Sequence, residues 1–192
     1  EMALDTVLTY RRTIVLVKGS SDFYVLRDQH WGPELTATFN IHTKGSKVSW
    51  DGSGKIDFGS LATYTVSNGD LSFERFDWSN SGSGHNDPTK GARLHTSKSR
   101  RSEFITVLWP SSSLPSCSAI DGGVKVGSDE IVFADPGQSD SDPVVTVNGE
   151  DVLITGDIDM NRSQGYGYLD KLTEKWDGRL LTLEVGYPFG PI

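Results

Sequence analysis

Four histidines, His30, His42, His85 and His95, are the side chains of this sequence that titrate near neutral pH, so proton transfer under physiological conditions starts from them. None stands in a compact metal or triad motif. His42 is the best placed, because it ends the run Leu35-Thr36-Ala37-Thr38-Phe39-Asn40-Ile41-His42, whose alternation of apolar and polar side chains predicts a strand with His42 on its polar face. A second concentration of chemistry is KGARLHTSKSRR at 90–101, with Lys90, Arg93, His95, Lys98, Arg100 and Arg101 in a chain of formal net charge −8. Such a run can hold an anion against the global repulsion, or it can be a solvated loop. Trp31 and Trp78 lie beside turn signals and offer flat apolar faces to a ligand ring, whereas Trp109, inside TVLWP, reads as core.

Other chemistries are weaker or excluded. Asp157, Asp159, Asn161 and Ser163 alternate oxygen ligands as a calcium loop does, but Arg162 stands where the tight turn needs Gly and Tyr168 where a bidentate Glu would close the shell. This leaves either an irregular calcium site or a turn held by its own Asx side chains. No G-x-S-x-G elbow is present, so serine hydrolysis has no support. The carboxylates have no spacing that singles out a glycosidase pair. The net charge of −8 speaks against nucleic acid, whose backbone is bound by clustered Lys and Arg. Cys117 is the single cysteine, so no intrachain disulfide is available.

The elements that must position these residues are strands. Twenty-one glycines and short apolar runs give turn signals every eight to twelve residues or so, the rhythm of an all-β sandwich with little helix. Strands are expected at 6–10, 13–17, 23–27, 35–42, 47–50, 61–66, 71–76, 104–110, 124–126, 130–134, 144–147, 151–155 and 180–185. Runs 79–89 and 136–143 read as long loops, and 169–176 as a helical turn or two. Asn148-Gly149 signals a type I′ hairpin, lengthened by Glu150 and Asp151. No repeat or composition shift divides the chain, so residues 1–192 read as a single domain able to bury its own core. No stretch of about twenty apolar residues spans a membrane, and EMALDTVL has no signal-peptide pattern.

Between Tyr10 and Asp28 the chain runs Arg11-Arg12, an apolar strand, a turn, a tyrosine-bearing strand and Arg27-Asp28, with Arg12 and Asp28 placed to pair across the hairpin. Together with TFNIHTKG, RSEFITVLWP before a Ser/Pro turn, and VKVGSDEIVFADP, this order resembles the C-terminal β-domain of heparinase II/III-like polysaccharide lyases, related alginate lyases included. The resemblance covers most of the chain and implies an antiparallel sandwich of two packed sheets, supersandwich-like. It also implies an acidic, uronic-acid-containing polysaccharide as partner, cleaved by β-elimination, in which a base removes the C5 proton beside a neutralised carboxylate. The tyrosine and asparagine usual for that step belong to an α/α toroid that would precede residue 1, so this part would form one wall of the cleft without being catalytic alone. His42 would neutralise or orient the carboxylate as an auxiliary group. A pocket of Arg93, Lys98, Arg100 and Arg101 near His42 or His95 would favour this reading, with Trp31 and Trp78 as further contacts. Some members hold zinc with two histidines and an aspartate, which here would be His42 and His95 with Asp57 or Asp87. The compartment implied is periplasmic or extracellular, with neither nucleic acid nor membrane as partner. The alternative is an independent extracellular carbohydrate-binding or adhesion module, with an exposed row of Trp and Tyr and calcium as its supporting ion. A domain that binds no ligand is the third reading.

Overall fold

The computed structural model describes residues 9–19, 21–43, 47–78, 89–134, 145–152, 156–161, 166–172 and 180–188. In chain order its strands are β1 (Thr9–Val17), β2 (Phe23–Leu35), β3 (Thr38–Thr43), β4 (Ser49–Trp50), β5 (Lys55–Asp57), β6 (Ala62–Ser67), β7 (Leu71–Trp78), β8 (Thr89–Thr96) and β9 (Ser99–Trp109). There follow β10 (Cys117–Ile120), β11 (Gly123–Val126), β12 (Asp129–Phe133), β13 (Val145–Val147), β14 (Glu150–Val152), β15 (Gly156–Asn161), β16 (Tyr166–Leu172) and β17 (Leu180–Pro188). The protein is all-β and antiparallel, as the turn rhythm predicts.

A seven-stranded sheet, in the order β17-β1-β2-β9-β6-β5-β4, has cores on both faces. On one face Val15, Val25, Ile105 and Val107 pack with Val124, Ile131, Phe133 and Val145 of the five-stranded meander β10-β11-β12-β13-β14. On the other, Ile56 and Phe104 pack with Phe39, Ile41, Ala92 and Leu94 of the three-stranded sheet β3-β8-β7. The sandwich expected from two sheets therefore gains a third layer. β15 and β16 form a separate two-stranded sheet.

The double covering explains β2, which is buried from Val25 through Trp31. Strands covered on both faces are normally near-continuous apolar runs, yet β2 carries Arg27, Asp28, Gln29 and His30 in its buried stretch. A buried polar group is tolerated when it is paired, and three of the four are. Arg27 donates to Glu103 from Nε at 2.9 Å and Nη2 at 2.7 Å, Gln29 Nε2 donates to the same carboxylate at 3.1 Å, and Asp28 accepts from Arg12. The hairpin register sets Arg12 opposite Asp28, as its sequence suggests.

Several expectations are corrected. Run 90–101 is not a loop: β8 and β9 occupy it, with a turn at Ser97 and Lys98. Residues 157–161 of the acidic run lie in β15, while Arg162 and Ser163 of the same motif lie outside the described residues. Residues 169–172 extend β16 instead of forming a helical turn, and residues 173–176 lie outside the described residues. Strands β5 and β10 escaped the sequence reading because they are short. The turn after β13 has two residues, Asn148 (φ 54) and Gly149 (φ 82), which suits type I′. Glu150 already pairs with Val147, so nothing lengthens the turn. The side chain of Asn148 bridges neighbouring strands, accepting from Glu130 N–H at 2.9 Å and donating to Asp129 at 3.0 Å. Residues 79–88 and 136–143, with His85 and Asp87, lie outside the described residues.

Candidate functional site

The outer face of the three-stranded sheet is assembled by register alone. Thr38, Asn40 and His42 of β3 stand opposite His95, Arg93 and Gly91 of β8, which stand opposite Ser72, Glu74 and Phe76 of β7. Because side chains alternate along a strand, these rows share the side away from Phe39, Ile41, Ala92 and Leu94. Arg93 is the centre: its Nε donates to Asn40 Oδ1 at 3.2 Å, its Nη1 lies 3.6 Å from Glu74 Oε1, and its guanidinium sits 4.3 Å over the Phe76 ring. The His42 and Phe76 rings stand nearly perpendicular, their centroids 5.2 Å apart at 75°. His95 bridges Glu74 Oε2 at 3.3 Å and Thr38 Oγ1 at 3.0 Å.

Gly91 makes this packing feasible. A Cβ there would collide with the Phe76 ring, so the missing side chain is what lets the aromatic ring lie over the strand. The Arg93 side chain remains 41% exposed. The face thus presents a guanidinium, two imidazoles, an amide and an aromatic ring, with the Glu74 carboxylate beside Arg93 and His95.

β3 is an edge strand, and beyond its edge opens a cleft of about 380 Å³ between β3 and the polar stretch of β1 and β2. Arg12 and Asp28 contribute a two-pronged pair, Nε to Oδ1 at 2.6 Å and Nη2 to Oδ2 at 3.2 Å, with the Asp28 side chain only 5% exposed. His30 also lines the cleft; it is 8% exposed, and its Nε2 has no hydrogen-bond partner among the described residues. Burial lowers its pKa, favouring the uncharged imidazole. Thr38 and Asn40 line the cleft while belonging to the outer face, so the two surfaces adjoin along β3.

Of the residues singled out in the sequence, the structure brings His42, Arg93 and His95 onto one face, while Trp31, Asp57, Arg100 and Arg101 lie on strands of the seven-stranded sheet. His42 is exposed there, as the alternation predicts. The zinc set does not assemble. His42 faces Gly91 in register whereas His95 faces Thr38, which separates the histidines by about 13 Å along the strand, far beyond a shared tetrahedral ion. Asp57 is on β5 in the seven-stranded sheet, where it accepts from Lys47 Nζ at 2.5 Å and Gly59 N–H at 2.7 Å. The Lys47 bond first, and the Gly59 bond after it, hold its carboxyl below the usual carboxylate range. Among the described residues no three metal-ligating side chains cluster.

Trp31 is a second correction. β2 continues past Arg27 to Leu35, so Trp31 is 5% exposed in a covered strand, with the Arg11 guanidinium 6.0 Å from its ring. Arg100 and Arg101 lie on β9, in a different sheet from Arg93, so the basic run is divided between two sheets. Trp78 closes β7 opposite Thr89.

Sequence reading missed the roles of Phe76 and His30. The signal for His30 is Asp28-Gln29-His30-Trp31, a polar triplet leading into a tryptophan without any turn residue between.

No protein-family model matches the chain, and no curated protein matches it. Among solved structures, the crystal structure of heparinase III is similar at 19% identity and a TM-score of 0.41, over 79% of this chain and 25% of that one. The chain therefore spans about a quarter of that protein's length. The likeness is a loose one of fold.

Proposed function

We propose that residues 1–192 form one β-domain that binds an acidic polysaccharide on the outer face of β3-β8-β7, as the accessory β-domain of a heparinase II/III-like polysaccharide lyase. The observation that carries this reading is Arg93, held 4.3 Å over Phe76 beside His42 and Asn40 on an exposed sheet. A uronate ring has a carboxylate and an apolar face. Guanidinium pairs with the carboxylate through charge-assisted bonds, the aromatic ring covers the apolar face, and His42, beside Phe76, orients the carboxylate. The net charge of −8 repels a polyanion at a distance, but at physiological ionic strength that field decays over about 8 Å. Contact with Arg93 then decides the outcome.

In this proposal β-elimination is performed by an upstream α/α toroid, and the β-domain forms one wall of the cleft. Lyases of this type meet their polymer outside the cytoplasm, so the periplasm or the extracellular space is the proposed compartment. An independent module stacking sugars on a row of Trp and Tyr is less well supported. Among the described residues Tyr24 is exposed, while Trp31 is buried and Trp50 and Trp109 pack against the cores.

Calorimetric titration with heparan sulfate and alginate oligosaccharides tests the reading. Arg93→Gln and Phe76→Ala should each weaken binding, the former by about tenfold or more, the scale of a lost charged hydrogen bond. Unchanged affinity in Arg93→Gln would refute the site. Release of unsaturated product by the protein with its upstream region, and none by residues 1–192 alone, is the expected division of labour.

A further inference from the structure

The geometry points to a second carbohydrate subsite, in the cleft between β2 and the edge strand β3, that takes one neutral, hydroxyl-bearing sugar ring. The inference rests on the carbohydrate-binding reading above and concerns a different set of residues. The cleft is concave, with apolar walls from Leu35, Ala37, Phe39 and Phe104, and holds about 380 Å³. That is room for about a dozen waters, or a pyranose of similar heavy-atom count. Apolar walls with a few convergent polar groups are the usual make-up of a small-ligand site.

Charge selects the occupant. Among the described residues the one cation of the lining, Arg12, is forked onto Asp28 through both Nε and Nη2, so the pair adds no net charge. A carboxylate entering here would meet Asp28 and a guanidinium already committed to it. His30 lines the cleft and is more than nine-tenths buried, and its Nε2, sealed from solvent, has no hydrogen-bond partner among the described residues. A buried imidazole nitrogen without a partner costs free energy, and once the lining shifts to uncover it, a sugar hydroxyl can either donate to it or accept from it. Ser102, at the same end of the cleft, is likewise buried and already receives Thr96 Oγ1 at 3.4 Å. The outer face, with its exposed Arg93, suits an anionic ring; the cleft suits an uncharged one.

The test is a side-chain NMR titration of the ¹⁵N-labelled protein, following the His30 nitrogens while glucose, N-acetylglucosamine or glucuronic acid is added. A neutral sugar should shift the His30 resonances and saturate with a dissociation constant on the order of millimolar, while glucuronic acid at equal concentration should shift them far less. Thr36→Trp, a change at an exposed position of the cleft wall, should abolish the response without touching either core. Arg93→Gln should leave it intact. The inference is overturned if no neutral sugar shifts His30, if glucuronic acid shifts it equally, or if Thr36→Trp still responds. An oligosaccharide carrying both ring types tells a free sugar from a polymer residue: tighter binding than either monosaccharide, with the His30 shift retained, favours the polymer. A His30 response to neutral sugar alongside no acidic-polymer binding overturns the polysaccharide reading and leaves the cleft standing.

Discussion

Glu103→Gln should be among the most damaging single-atom-scale changes in this protein, because of what converges on one oxygen. Arg27 Nε at 2.9 Å, Arg27 Nη2 at 2.7 Å and Gln29 Nε2 at 3.1 Å all donate to Glu103 Oε2. The Arg27 side chain is 3% exposed, so its charge is out of reach of water. The glutamine keeps an acceptor for one or two of these donors but removes the counter-charge, and a buried guanidinium left alone costs about 3–5 kcal/mol. Contact with the Phe133 face at 5.4 Å and the bond from Nη1 to Ala134 O at 3.1 Å survive the change, which favours the lower end of that range. At about 2–4 °C per kcal/mol for a chain of this size, the melting temperature should fall by roughly 6–20 °C. Adding Arg27→Met removes the orphaned charge while the new amide still accepts from Gln29, so the double variant should recover most of the loss. The assay is urea unfolding of the parent, both single variants and the double. A Glu103→Gln cost below about 1 kcal/mol, or a double variant as unstable as the sum of the singles, would show that the unpaired buried charge is not what destabilises the variant.

Two further outcomes follow from buried titrating groups. Burial holds the folded pKa of His30 below its unfolded value, so as pH falls through about 6.5 the unfolded chain takes up a proton first and stability declines until the folded pKa is passed. His30→Asn should therefore flatten the change in urea midpoint between pH 7.5 and pH 5.5; an equally steep change in the variant would show that other groups produce it. Cys117 is half-buried, its Sγ lies 3.5 Å from Pro115 O, and burial pushes its thiol up to about 11. At pH 8 its reaction with a thiol reagent should be about a hundredfold slower in the folded protein than in urea, since the thiolate is the reacting species; equal rates would contradict that burial.

The fold was legible where side-chain period and turn chemistry spoke together. Thr38-Phe39-Asn40-Ile41-His42 alternates cleanly, and the strand and the exposure of His42 both follow. Asn148-Gly149 announced its turn because few other pairs accept two positive φ values. Strand β8 was hidden for a physical reason: its buried positions begin with Gly91 and Ala92, too small to read as an apolar stripe. The smallness at Gly91 is what admits Phe76, so the feature that obscures the strand builds the site. A charged pair such as Arg27-Asp28 usually marks a strand end, whereas here Glu103 and Arg12 let β2 continue through the core. The cleft was not legible at all, since it arises from the edge of one sheet overhanging another, which no local pattern encodes.

The pairing of β1 with β17 has a consequence for how the chain is made. One edge of β1 meets β2 across a short hairpin, but the other is closed only by β17, from beyond residues 18–179. During synthesis β1 therefore waits with a row of open backbone groups, the arrangement that recruits foreign strands, while a contact this distant in sequence forms slowly. A ribosome stalled before residue 180 should hold a sticky, incomplete sheet, and chaperone demand should drop once β17 has emerged.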